Sequence, residues 1–149
     1  MEDNDETDRM IFKVIYVFRK ILEQRAINRH LHTESWLNIT HVPYIMNIGT
    51  NGISNTDLVF QMKVSRQAVS KILKEMEQEQ LIYTSKNESD ARTLLINLAP
   101  KGKALFNTVK VDAKELSGEY KKILGPKRYE AMLDSLLEIV AYHESLEKK

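Results

Sequence analysis

Arg66, Gln67, Ser70, Lys71 and Lys74 fall on one side of the segment VSRQAVSKILKEMEQEQ (64–80) when it is wound as a helix, and together they form an anion-binding set. Guanidinium and ammonium groups pair with phosphates, and a serine hydroxyl adds a short donor. The donor forks of Arg66 and Gln67 also match guanine and adenine edges in a DNA major groove. The carboxylates of the segment, Glu75, Glu77 and Glu79, are held to its far end. A helix dipole favours acids at the start and cations at the end. The reversed order therefore points to an external anion, and a nucleic-acid backbone is the candidate. A basic face standing alone would read more simply as a solvated amphipathic helix; the neighbouring segments reverse that preference.

Other chemistries find little support. There is no Gly-rich phosphate loop, no nucleophile beside a base and no carboxylate pair in a catalytic context, so the chain is not expected to be an enzyme. His30, His32 and His41 lie close in sequence, but their spacing fits no standard helical ligand pair and Glu34 is a loose carboxylate partner. They read as surface or cleft-lining histidines, and neither a metal nor a cofactor is expected. Cysteine is absent, which removes disulfides, thiolate zinc sites and thiol redox switching.

The elements that must position the basic face can be read on either side of it. Ala68, Val69, Ile72, Leu73 and Met76 form the opposite, core-facing stripe of the helix. Upstream, Ser54 to Met62 reads as a short helix with Ser54 as cap and Asp57 in a capping-box position, and Leu58 and Met62 share one face. Lys63 to Ser65 then forms the turn, with Ser65 capping the second helix. The result is a helix-turn-helix. Downstream, Leu81 to Lys86 reads as a strand, Asn87 to Ala91 as a hairpin tip and Arg92 to Leu98 as the returning strand, in which Leu94, Ile96 and Leu98 alternate with polar residues. A helix-turn-helix followed directly by a hairpin is a winged helix.

From about Ile39 to Phe106 the chain resembles the multiple-antibiotic-resistance regulators, the MarR family. The family's wing signature is an Asp, one residue, an Arg, five residues, then Leu-Thr-x-x-Gly. Here Asp90, Arg92, Leu98 and Gly102 occupy those places, with Ala99 where Thr is usual. The segment VSRQAVSKILKEMEQEQLI is similar to the family's recognition helix. Lys63 and Gln80 stand where the family often has Gly and would need left-handed backbone, at about 1 kcal/mol each. Ala99 forgoes a cap of about 1 kcal/mol, although Pro100 keeps the first-turn geometry. The resemblance implies that Arg92 enters the minor groove or grips its phosphates while Asp90 braces its guanidinium. Lys86 belongs to the same DNA-facing wing. It further implies a small aromatic effector held between the winged helix and the dimer helices, where Tyr16, His32, Trp36 and Tyr44 could line a cleft; each of the four could equally be plain packing.

A chain of 149 residues has room for one domain with a core but not for a separate sensor domain. Its formal charge is only +1, yet residues 61–110 carry nine Lys or Arg against five acids, while the first eight residues hold five acids and no base. The basic character is local. That acidic start is unlike a signal peptide, and the apolar run Val14 to Phe18 is too short to cross a bilayer, so a cytoplasmic location with no membrane partner is expected.

The rest of the chain reads as helices. Asp8 can cap a helix reaching His30 whose stripe (Ile11, Val14, Ile15, Phe18, Ile21, Leu22, Ile27) is widened by Phe12, Tyr16 and Val17 to most of the circumference. Such a helix must be covered on more than one side, most simply by a second copy of the chain, with a cofactor pocket along the helix as the less favoured rival. Thr40 can cap a helix from His41 to Ile48, which Gly49 and Asn51-Gly52 end. Pro100 opens a long helix to Leu124, Gly125-Pro126 breaks it, and a last amphipathic helix follows. The expected fold is mainly α with a small β-hairpin wing: a single domain over 1–149, with a winged helix-turn-helix DNA-binding region at 37–99 and dimerisation helices at 8–31 and 100–147. The expected function is a sequence-specific, homodimeric DNA-binding regulator on a roughly palindromic operator. The alternative is a winged-helix module that makes protein or RNA contacts without an operator.

Overall fold

The computed structural model describes residues 6–30 and 38–147. Helix α1 spans Ile11–His30, a 3₁₀ turn Ile39–His41 leads into α2 (Val42–Ile48), and β1 (Ile53–Ser54) precedes α3 (Asn55–Met62) and α4 (Arg66–Gln78). Strands β2 (Ile82–Lys86) and β3 (Leu94–Leu98) form the hairpin, followed by α5 (Pro100–Leu124) and α6 (Pro126–Glu147). The fold is mainly helical with a small antiparallel sheet, as the periodicities require. His32 and Trp36 lie outside the described residues.

The helix-turn-helix is built from local signals. Ser54 Oγ accepts a hydrogen bond from Asp57 N at 3.2 Å, and Ser65 Oγ accepts one from Ala68 N at 3.1 Å, so each helix has its first-turn amide satisfied. Between them Lys63 adopts φ 58°, ψ 33°, and after α4 Gln80 has φ 64°. Both positions therefore carry the left-handed backbone expected where a glycine would be cheaper by about 1 kcal/mol. Leu58, Val69, Met76 and Leu81 are fully buried, and with Ile45, Ile96 and Leu105 they join α2, α3, α4, the sheet and the start of α5 in one core.

A third strand enlarges the expected hairpin. Ile53 pairs with Ile96 and Ser54 with Leu95, giving the order β1-β3-β2. Gly52 makes the approach possible: at φ 77°, a Cβ there would sit 2.8 Å from Asn97 Oδ1 and 2.9 Å from the Ile96 carbonyl. Gly102 serves the other end of the sheet. A Cβ on it would come within 2.1 Å of the Leu81 carbonyl oxygen, the same atom that accepts from Ala99 N at 2.9 Å. Ala99 makes no side-chain cap, and Pro100 takes the first helical position.

Three expected boundaries shift. The side chain of Asn38, not Thr40, caps the 3₁₀ turn by accepting from Thr40 N at 3.0 Å, and α2 begins after it. Asp8 pairs with Lys13 rather than capping α1, which starts at Ile11 with Val14 N bonded to the Met10 carbonyl. Arg92 and Thr93 belong to the hairpin turn rather than to β3, because Asp90 captures their backbone amides.

Outside the winged helix, α1 lies along α5. Arg25 bridges Asp112 (3.4 Å) and Glu119 (3.1 Å), while Arg29 bridges Asp112 (2.7 Å) and Glu115. The bond to Glu115 raises the Arg29 pKa further above its ordinary value. Phe18 tilts against Tyr120 at 5.9 Å between ring centroids, and Ser117 Oγ lies 2.6 Å from Tyr129 OH on α6. Much of α1 remains open: Phe12 is 84% exposed, and Ile11, Val14, Ile15, Tyr16, Val17 and Ile21 are exposed with it. The same holds for Leu137, Ile139, Val140 and Tyr142 on α6. No described helix is long and apolar enough to cross a membrane.

Candidate nucleic-acid interface

Helix α4 buries Val69 and Met76 completely and leaves Arg66, Gln67, Ser70, Lys71 and Lys74 exposed, together with its cap Ser65. Its first turn contains no acid and its last turn no base. Among the described residues no carboxylate pairs with Arg66, Lys71 or Lys74. Glu75, by contrast, turns inward: its Oε2 lies 3.3 Å from Nε2 of the buried His41.

The wing brings a further cation to this face. Asp90 Oδ1 accepts from the backbone N of Arg92 at 3.0 Å and from its Nε at 3.2 Å, fixing the start of a side chain that is otherwise 91% exposed. The tip is tied by Asn87, whose Nδ2 donates to Thr93 Oγ1 at 2.9 Å and whose Oδ1 accepts from Ser89 N at 3.1 Å. Lys86 ends β2, exposed and opposite Leu94. Arg66, Ser70 and Lys74 of α4 and Arg92 of the wing line one open groove of about 490 Å³. Its lining holds those three cations against a single carboxylate, Glu77. Polar donors and apolar floor residues complete it, which suits a phosphate-bearing strand better than an apolar ligand.

The MarR family profile matches residues 37–94, the whole of the helix-turn-helix and the wing up to the start of β3. That stretch is a MarR-family domain. No curated protein matches the chain in sequence. Among solved structures, a MarR-family regulator from Listeria monocytogenes complexed with 26mer DNA is similar over 92% of this chain and 91% of its own, at 19% identity and TM-score 0.77. FabT from Streptococcus pneumoniae, in complex with DNA, covers 94% of this chain and 99% of its own at 17% identity and TM-score 0.73. A MarR transcriptional regulator from Methanosarcina mazei aligns over 100% of both chains at 17% identity and TM-score 0.66. At these identities the likeness is one of fold, and it extends to the helices outside the MarR domain.

The MarR domain sorts the residues singled out by sequence. Arg66, Ser70, Lys74 and Arg92 meet in the groove; Gln67 and Lys71 lie one step further round α4, and Ser65, Lys86 and Asp90 flank it. Asn55 and Thr56 at the start of α3, with Thr84 and Thr93 on the wing, line the same groove and were missed. Their signal, a polar residue just after a cap or on the outward face of a strand, is too common to stand out. His41 is a correction: it is 1% exposed in the core of the MarR domain, not at a surface or a cleft, because its ring reaches Glu75 of α4. Tyr44 also packs into that core, and burial pushes its phenol pKa up, whereas Tyr16 is exposed on α1. Among the described residues no cluster of His, Asp or Glu could hold a metal ion.

Proposed function

We propose that the chain is a homodimeric transcriptional regulator that holds α4 of each subunit in successive major grooves of a roughly palindromic operator, with the wings along the flanking minor groove. The observation that carries this reading is the groove between α4 and the wing, where Arg66, Lys74 and Arg92 converge with one opposing acid. Two of the structural relatives are described as bound to DNA, which supports the same use of this face. The exposed apolar sides of α1 and α6 support a second copy as the partner, since so many exposed apolar side chains on a lone subunit would favour association. Two-fold symmetry then sets the half-sites about one helical turn, roughly 34–36 Å, apart.

Contacts to bases come from Arg66 and Gln67, to phosphates from Ser65, Ser70, Lys71, Lys74 and Lys86, and to the minor groove from Arg92 braced by Asp90. About six to eight basic groups per subunit are available, so affinity should fall steeply with salt, as counterion release requires. Selection of duplexes from a random pool by the purified protein, with sedimentation analysis of the free and bound species, tests the reading. A palindromic consensus bound by a dimer is expected. A monomer that ignores duplex DNA even in dilute buffer would overturn it.

A further inference from the structure

We infer that Lys63 is a positioning residue for DNA reading: it ties the turn between α3 and α4 to the end of α6 and so fixes the angle at which each recognition helix is presented. The inference rests on the dimeric, DNA-binding reading above. Three observations carry it. The first is backbone geometry, since Lys63 occupies the left-handed region at φ 58°, ψ 33°. Glycine would avoid that strain, and strain held at a residue with a long side chain points to what the side chain does.

The second observation is its set of contacts. Lys63 Nζ lies 2.9 Å from Glu147 Oε2 and 3.8 Å from Glu144 Oε2, and 3.6 Å from the centroid of the Phe60 ring. One ammonium thus joins α3, the turn and the last turns of a helix 84 residues away in sequence. The third is the open cleft of about 900 Å³ beside it, lined by Asn47, Asp57, Phe60 and Gln61 from α2 and α3 and by Val140 from α6. The helix-turn-helix is therefore not cored onto α6 at this place, and the Lys63 contacts bridge the rim of a gap.

These ion pairs are 33–45% exposed, so each is weak and screened by salt. Interactions of that size shift a two-state orientation by about fivefold rather than hold a fold together. That is the scale a spacing selector needs. In a two-fold dimer the tilt of each reading unit sets the separation of the two α4 helices, so loosening the tie should blur the choice between operator spacings while leaving each half-site contact intact.

The test uses the full-length chain, whose lack of cysteine allows a single spin label at Glu88→Cys on the wing tip. Pulsed electron-paramagnetic distances between the two wings of the dimer are compared for the parent, Lys63→Gly and Glu144→Gln/Glu147→Gln. A narrow distribution is expected in the parent, broadened alike in both variants and no further when they are combined. Lys63→Gly should keep or raise the thermal midpoint, because it relieves backbone strain; a merely structural role would lower it. On a duplex selected by the parent, and on versions one base pair longer or shorter at the centre, preference for the selected spacing should fall by roughly threefold or more in both variants, with half-site binding unchanged. Unchanged distances and unchanged spacing preference in both variants would overturn the inference. Absence of any inter-wing distance in the parent would instead refute the dimeric reading beneath it.

Discussion

Replacing Arg92 with alanine should separate DNA binding from stability. Its side chain is 91% exposed and its described partner is Asp90, so truncation removes one solvent-screened ion pair and leaves the Asp90 bond to the Arg92 backbone amide intact. Stability should therefore change by no more than about 0.5 kcal/mol. Binding should change far more. A dimer presents two copies of Arg92, and each phosphate neutralised contributes about 0.9 to the slope of log K against log salt, so the variant's slope should be shallower by about 1.8. If each lost contact costs at least about 1 kcal/mol, the pair costs about 2 kcal/mol, roughly thirtyfold in affinity. Fluorescence anisotropy on a selected operator and a scrambled duplex, over a range of salt, measures both quantities. The two duplexes should weaken alike, because a backbone or minor-groove contact carries little sequence information. Asp90→Ala is the companion: it keeps the charge and frees the fork, so affinity should drop less and the salt slope should hold. An Arg92→Ala protein with the parental slope and affinity within about twofold would refute the assignment of the wing.

Gln67→Ala should relax preference at a single base pair per half-site, worth about 1–3 kcal/mol of discrimination, with an unchanged salt slope; repeated selection from a random pool reads this directly, and an unaltered consensus would remove Gln67 from the base-reading set. Gly102→Ala drives a methyl into the Leu81 carbonyl at 2.1 Å and should cost about 2 kcal/mol or more, lowering the melting midpoint by roughly 5 °C; a parental midpoint would mean the junction of β2 and α5 is looser than its geometry. Gln80→Gly relieves the φ of 64° and should raise stability by about 0.5–1 kcal/mol in a chemical melt, whereas a loss would assign the Gln80 side chain a stabilising contact.

The parts of the fold legible in the sequence are those written in local chemistry. Ser54 and Ser65 announce two helix starts, Gly125-Pro126 a helix break, and the alternation of Leu94, Ile96 and Leu98 a strand, each within a few residues of where it acts. The left-handed turns at Lys63 and Gln80 were legible too, but only against the family's glycines. What escaped was decided by residues distant in sequence. Strand β1 is two residues long, too short for any period, and exists because β3 offers Ile96 and Leu95 as partners. His41 reads as polar and therefore as surface, until Glu75, 34 residues on, supplies a partner for its ring. Arg92 reads as strand because β-branched and aliphatic residues follow it, yet the Asp90 side chain holds it in the turn.

The basic face of α4 is a consequence of its packing as much as of its composition. Val69 and Met76 fix which side of the helix meets the core, and Glu75, beside Met76, is drawn to His41 at the edge of that side. With the inward stripe set, the helical period places Arg66, Ser70 and Lys74 together on the side that borders the wing. Glu75, the acid nearest to them in sequence, is bonded to His41, and of the other two, Glu77 and Glu79, only Glu77 is exposed, as the single carboxylate of the groove beside the wing. An Arg in the first turn, with no acid there, opposes the helix dipole at a cost of about 0.3–1 kcal/mol for the isolated chain. A phosphate at that end reverses the sign of the same term, because it meets both the cation and the positive end of the helix dipole. The arrangement is thus least favourable in the absence of an anion and is relieved by one.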